Sequence, residues 1–300
     1  MKRVFIAGSL NMDLCIHAPY CPKGGETLTG GNFMTNCGGK GANQATAAGK
    51  LGAEAYMCGC VGADSFGEKL IENLRAAGTD TRFVRRAENI TTGIAVILVT
   101  GGENRIILDR GANACLCAED IDRALEHARA GDIYLTQLEN PVPVIGYGLR
   151  KAKEKGLLTI LNPAPADPAA AAYFAYADIV TPNESELEIF GGKERMFAAG
   201  AKVILTTLGS RGYEIAEGER SEVFPCIRVK AVDTTAAGDT LCGGLAAELA
   251  RGKSLQEAAA FASKAASIAC TRKGAAQSIP TRAEAEKYPL GKEEKCGYGL

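Results

Sequence analysis

The sequence has no tryptophan, only two histidines and few aromatic residues of any kind. A chain so poor in rings, above all in the segments that could fold over a ligand, lacks the aromatic clamp that a nucleobase substrate would want. Two histidines also leave little from which to build a metal centre. The closely spaced cysteines, Cys58-Gly59-Cys60 and Cys115-Leu116-Cys117, have no second pair at zinc spacing and read as small buried residues. Positive charge is not in excess either. The formal net charge is −1 with the signs mixed along the chain, so no basic face exists to track nucleic acid or an anionic membrane. No apolar run approaches the length that crosses a bilayer. The first, from Val4 to Gly8, is too short for a signal-peptide core and soon meets Asn11 and Asp13, so a cytoplasmic location is expected. Eleven cysteines, an odd number scattered through patterned sequence, fit reduced thiols there.

What remains is an ordinary soluble composition over 300 residues, with no linker, internal repeat or low-complexity run. Short apolar runs at Val4 to Gly8, Ala55 to Val61, Ile133 to Thr136, Leu157 to Leu161, Ile179 to Thr181 and Val203 to Thr207 predict strands. Helical spacing predicts helices over about Gly41 to Leu51, Glu119 to Ala130, Val142 to Lys155, Asn183 to Phe190, Gly238 to Arg251 and Leu255 to Ala269. A further helix opens on Ser65-Phe66-Gly67-Glu68, read as a capping box, and closes at Gly78. Such alternation predicts an α/β fold with a mostly parallel central sheet, helices on both faces, and ligand sites at the carboxyl ends of strands. Residues 14–36 and 93–110 break the rhythm. The second carries a hairpin around Gly101-Gly102-Glu103-Asn104, and the two together predict a small β-sheet lid on a single domain over residues 1–300. The last dozen residues are expected to fray.

The segment Asp233-Thr234-Thr235-Ala236-Ala237-Gly238-Asp239 runs into a helix, which places small-residue amides at a helix N-terminus with a carboxylate beside them. Two readings fit: a phosphate site with a general base, or a plain helix start favoured by the dipole. Gly38-Gly39-Lys40-Gly41-Ala42-Asn43-Gln44-Ala45 is neither a dinucleotide fingerprint, since Gln44 stands at the third glycine, nor a Walker loop, since Gly41 follows the lysine. It leaves a glycine turn with Lys40 and Asn43 as donors for a polyol, or a solvated tip. Asn11 and Asp13, two apart at the end of the first strand, share a face and suit vicinal hydroxyls; Glu139 follows a strand in the same manner. Asn183 and Glu186, three apart, suit water-bridged magnesium or a mutual helix cap. Thr207 to Gly212 suits a nucleotide or a hairpin turn.

Taken jointly, these elements resemble the ribokinases of the PfkB-type carbohydrate kinase family. The resemblance runs from Gly8-Ser9-Leu10-Asn11-Met12-Asp13 through Gly38 to Ala45, Leu138-Glu139, Asn162-Pro163-Ala164-Pro165, Thr181 to Glu186, Thr207 to Gly212 and Asp233 to Asp239, to Thr271-Arg272-Lys273-Gly274-Ala275. It implies ATP-dependent phosphorylation of D-ribose at O5, with Asp239 as base and the amides of Ala236, Ala237 and Gly238 as an anion hole. Kinases of 2-deoxyribose or another small sugar, and a silent sugar-binding protein on the same fold, are the alternatives. It further implies Asn11, Asp13, Gly39, Lys40, Asn43 and Glu139, with Asp239, as sugar ligands. Asn183, Thr207, Leu208, Gly209, Ser210, Arg211, Gly212, Gly238 and Ser263 would line the ATP site, and Glu186 would act through magnesium. A potassium site would use Asp233, Thr235, Ala269, Arg272, Gly274 and Ser278, and a homodimer would form through the lid. The chain departs from the family pattern in a short Gly191 to Ala201 segment, in Ser263, where a larger polar residue is common, and in Ala276-Gln277 before Ser278, which lacks the usual proline.

Overall fold

Val4 and Ile6 point to one side of the first strand, Phe5 and Ala7 to the other, and all four are buried. A strand that hides both faces belongs in the middle of a sheet covered by helices on both sides. The computed structural model, which describes residues 1–101 and 103–289, bears this out. In chain order its strands are β1 (Arg3–Ala7), β2 (Asn11–His17), β3 (Gly31–Gly38), β4 (Glu54–Gly62), β5 (Thr79–Ala87), β6 (Gly93–Thr100) and β7 (Glu103–Asp109). There follow β8 (Ile133–Thr136), β9 (Leu158–Leu161), β10 (Ile179–Val180), β11 (Val203–Thr207), β12 (Tyr213–Glu217) and β13 (Arg220–Phe224). The main sheet has nine strands in the order β13-β12-β11-β10-β9-β8-β1-β4-β5, parallel except for β12 and β13. The order reverses at β1, which pairs with β8 on one side and β4 on the other. Ligand crevices of open α/β sheets form at such a point, beyond the carboxyl ends of the strands.

Helices α1 (Lys40–Lys50), α7 (Ala237–Ala250) and α8 (Leu255–Ala269) cover one face, where Ala45, Leu245 and Ala262 join the cluster of Val4, Ile6, Met57 and Leu135. On the other face α3 (Ala118–Leu125) and α4 (Val142–Glu154) bring Ile121 and Leu149 onto Phe5, Cys58 and Tyr134. The remaining helices are α2 (Ser65–Ala76), α5 (Glu184–Ile189), α6 (Lys193–Ala198) and α9 (Arg282–Lys287). Among the described residues, no helix is long and apolar enough to cross a membrane.

A second sheet, ordered β3-β2-β6-β7, holds the residues whose pattern broke the α/β rhythm. The hairpin of β6 and β7 is present; Gly102 in its turn and the last residues, 290–300, lie outside the described residues.

Several boundaries differ from the sequence reading. Asn11 and Asp13 do not end β1 but open β2, because Asn113 grips both the N–H and the carbonyl of Leu10 and breaks the strand there. The cap of α2 is Asp64, whose carboxylate accepts from Gly67 N and also from the amide and hydroxyl of Thr92. Helix α3 stops at Leu125, since Asp132 draws the Arg129 amide into a turn. Strands β5, β12 and β13, missed in the sequence, lie at the two ends of the sheet and carry charged residues in place of an apolar run. The paired cysteines gather around buried Asp120: Cys60 and Cys117 donate to its carboxylate and Cys58 to its carbonyl, with Arg85 completing the ion pair.

Candidate active site

The site begins where α7 lies against α1. Gly243 permits this approach, because a Cβ there would press on the Gln44 carbonyl and come within 2.6 Å of Ala47 Cβ. The contact brings the first turn of α7 onto the first turn of α1. Asp239, 5% exposed, accepts from Asn43 Nδ2 at 2.9 Å on one oxygen and from Gln44 Nε2 at 3.0 Å on the other. Gln44 is itself held by Asn162 and Gln137, so the carboxylate rests on a buried amide network. Burial raises the pKa of Asp239, and Lys40, Asn43 and Gln44 offset that only in part. Burial also works against the Lys40 ammonium, but the carboxylates of Asp239, Glu139 and Glu186 outweigh it and hold the charge on. A desolvated carboxylate with raised proton affinity beside a fixed cation is the environment of a general base.

The glycine turn ahead of α1 is shaped by what crosses beneath it. Gly39 has φ of 87°, and a Cβ there would stand 2.6 Å from Asn11 N. Glu139 ties the crossing together by accepting from Lys40 N at 3.1 Å, from Asn11 Nδ2 at 3.4 Å and from the Ser9 hydroxyl. Asp13, half-buried next to them, is pushed up to about 7 by burial together with the charges of Glu139 and Asp239. Asn43 Oδ1 is buried without a hydrogen-bond partner, an acceptor free for a hydroxyl.

Two cavities meet at Gly238, Thr207 and Thr234. The smaller, about 230 Å³, is polar and lined by Lys40, Asn162, Asn183, Glu186, Thr235, Asp239 and Cys242 among others. The larger, about 820 Å³, runs between Gly209 to Gly212, the Pro225 to Val229 loop, and Leu241, Ser263, Ala266 and Cys270. At their junction no side chain caps α7, and a Cβ on Gly238 would meet nothing within 4 Å, so the helix start opens on the cavities. Of its amides, that of Ala237 bonds the Thr234 carbonyl.

The model of the pfkB family carbohydrate kinases matches residues 1–282. The chain belongs to this family. It is 38% identical to the ribokinase of Haemophilus influenzae over 300 residues, covering 96% of this chain and 98% of that one. Among solved structures, the ribokinase from Thermotoga maritima superposes with a TM-score of 0.85 at 35% identity, covering 95% of this chain and 98% of that one. An Arabidopsis thaliana ribokinase complexed with ribose and ATP gives 0.83 at 31%, covering 95% and 98%.

Against the family pattern, the structure gathers Asn11, Asp13, Gly39, Lys40, Asn43, Glu139 and Asp239 at one place. Only Lys40 and Asp239 of these line the smaller cavity; the rest cluster around the start of β2 and of α1, tied to those two through Glu139 and Asn43. Thr207, Gly209, Ser210, Arg211, Gly212, Gly238 and Ser263 line the larger cavity, whereas Leu208 is off its wall and closes the turn by donating to Gly212 O. The hairpin-turn reading of Thr207 to Gly212 therefore holds, and the turn also walls the larger cavity. Asn183 lies on the smaller cavity, and with Glu186 it forms a reciprocal helix cap, each backbone N–H bonded to the other's side chain at 2.8 Å. Burial raises the Glu186 pKa against the Asn183 amide and Lys40.

Asp233 accepts from the amide and hydroxyl of Thr235 and from Gly274 N at 2.9 Å, so its carboxylate caps the turn and pins the two segments together. In the second segment, Ala269 O accepts from Arg272 N, Ser278 donates to Ala275 O, and the Arg272 guanidinium turns outward to Glu284. Sequence reasoning missed Asn113, Gln44, Asn162 and the Pro225 to Val229 wall. Of these only Asn162 stands at a strand end, where a polar side chain signals a site.

Proposed function

We propose that the protein transfers the γ-phosphoryl group of ATP to O5 of D-ribose, giving D-ribose 5-phosphate and ADP. The observation that carries this reading is the placement of buried Asp239, with Lys40 beside it, on the wall of a polar pocket that opens at Gly238 onto a larger nucleotide-sized cavity. The sugar lies on Asn11, Asp13, Gly39, Lys40, Asn43 and Glu139, whose acceptors and donors outnumber those a poorer polyol would use. Asp239 takes the O5 proton as the oxygen bonds to phosphorus and the β–γ bridge bond breaks toward ADP. Lys40 and the amides of Ala236 and Gly238 steady charge on the transferring group, the Ala237 amide being bonded to the Thr234 carbonyl.

Glu186 sits on the wall of the polar cavity, with Oε2 committed to the Asn183 amide; its other oxygen suits a magnesium-bound water. Magnesium, when bound, neutralises the phosphate chain and fixes its geometry. Potassium would sit between the segments that Asp233 joins, with oxygens from Asp233, Thr235, Ala269, Arg272, Gly274 and Ser278. The second sheet serves as the lid of a single-domain enzyme. Met34, Cys15, Ile97 and Ile106 form one cross-strand row on it, and Thr35, Leu14, Val96 and Ile107 the next, with Met34, Ile106, Val96 and Ile107 exposed. The two rows face opposite sides of the sheet, and covering the exposed Met34 and Ile106 of the first with a second copy supports a homodimer through the lid. Ten unpaired cysteines among the described residues fit a reducing cytoplasm.

ATP turnover coupled to ADP release, measured across D-ribose, 2-deoxy-D-ribose, other pentoses and fructose, tests the reading. D-Ribose should give the highest kcat/KM, with the product phosphorylated at O5 by NMR. A higher value for 2-deoxyribose, or no sugar-dependent turnover, would overturn it.

A further inference from the structure

Ala276-Gln277 lacks the proline of the family pattern, and the Gln277 side chain makes a contact that proline could not. Its Nε2 donates to Asn36 Oδ1 at 2.7 Å, joining positions 241 apart. Asn36 lies on β3, one of the two outer strands of the lid, and pairs in register with Asp13. The Asp13 carboxylate in turn lies against Gly38 of the same strand, where a Cβ would stand 2.7 Å from its Cγ. Asp13 is thus held on one side by β3 and on the other by β6, through Ala95.

The base of this contact is fixed from three sides. Asp233 holds Gly274 N at 2.9 Å. Lys50, at the end of α1, donates to the carbonyls of Ala276 and Ile279 at 3.1 and 2.9 Å. The Gln277 side chain folds back over Gly274, with Cδ 2.6 Å from where a Cβ would be. By contrast the outer half of β3 is exposed, and its other side-chain tethers run to α2, from Lys69 to Thr35 and from the Cys37 thiol to the Lys69 carbonyl.

We propose that Gln277 is a positioning residue for the sugar: it latches lid strand β3 to the 274–279 loop and so steadies Asp13 against β3. The proposal rests on the reading of Asp13 as a sugar ligand. Gln277 touches neither substrate, and its effect travels through Asn36 and the β3–β2 pairing.

The test uses Gln277→Ala, Asn36→Ala and the double variant of the full chain, with two readouts. In steady-state kinetics each single change should raise KM for ribose about three- to tenfold, the worth of one exposed neutral hydrogen bond, with KM for ATP and kcat within about twofold. The double variant should add little to either, because the two residues make one contact. In hydrogen exchange of the ligand-free protein, amides of residues 31–38 should exchange faster in Gln277→Ala while those of β1 and β8 stay unchanged. Unchanged exchange in β3, additive singles, or an equal rise in KM for both substrates would overturn the latch. Faster β3 exchange in a protein that does not phosphorylate ribose would uphold the latch and reject the sugar reading instead.

Discussion

Asn43 donates to Asp239 at 2.9 Å across 196 positions of sequence, so the first turn of α1 and the first turn of α7 meet at one carboxylate. That meeting depends on packing remote from the chemistry. Gly243, one turn further along α7, is what lets the helices touch.

Gly243→Ala should therefore damage both stability and activity. The added methyl would meet the Gln44 backbone, which cannot swing aside as a side-chain tip can, and overpacking of this kind costs about 1–3 kcal/mol. Thermal melting should show a Tm lower by roughly 2–8 °C, with kcat reduced as Asp239 moves off Asn43 and Gln44. An unchanged Tm and kcat would mean that the helices are not held at this glycine.

Asp13 should make the ligand-free protein less stable as pH rises. Its carboxyl titrates at about 7 in the fold against 3.8 as a free group, so between those values the folded protein keeps a proton that the unfolded chain has lost. Stability from this source is full below 3.8 and is lost as pH climbs through about 7, by at most about 4 kcal/mol. Asp13→Asn should melt several degrees above wild type at pH 8 and close to it at pH 4. Equal melting at both pH values would show that Asp13 is not the strained group.

The same carboxylate should matter to one substrate only. In Asp13→Ala the sugar hydroxyls lose their acceptor, and KM for ribose should rise tenfold or more while KM for ATP moves little. Equal losses for the two would place Asp13 outside the sugar site.

How much of this was legible in the sequence varies with how local the cause is. Strands β8 and β11 and helix α8 keep their expected bounds, because apolar runs and, for α8, the Ser254 cap with Glu257 are local signals. The placement of Asn11 and Asp13 was not legible, since the break at Leu10 is made by Asn113, 103 positions away. Nor was the network of Gln44, Asn162 and Gln137 that carries Asp239, for buried amides leave no periodic pattern. The Pro225 to Val229 wall has no regular structure at all to betray it. The carboxylates of the site were visible because a base, a cap and a glycine turn each need particular residue types in order.

Potassium should raise kcat, although it touches neither substrate. Asp233 already ties the 233–235 segment to Gly274, and an ion in the same place would stiffen the approach to the α7 amides. Activity in a tetramethylammonium buffer should climb several-fold on adding potassium, and Asp233→Ala should lose that response. Wild-type activity indifferent to potassium would leave Asp233 as a turn cap alone.

The central claim, that Asp239 is the base for phosphoryl transfer to a sugar hydroxyl, is met most directly by the turnover of Asp239→Asn. The amide keeps the size of the carboxylate and one of its two hydrogen bonds, so the variant should melt within a few degrees of wild type and bind ATP and ribose with similar affinity by calorimetry. Its kcat should fall by roughly two to four orders of magnitude. A kcat within tenfold of wild type, in a protein that still binds both substrates, would contradict the account.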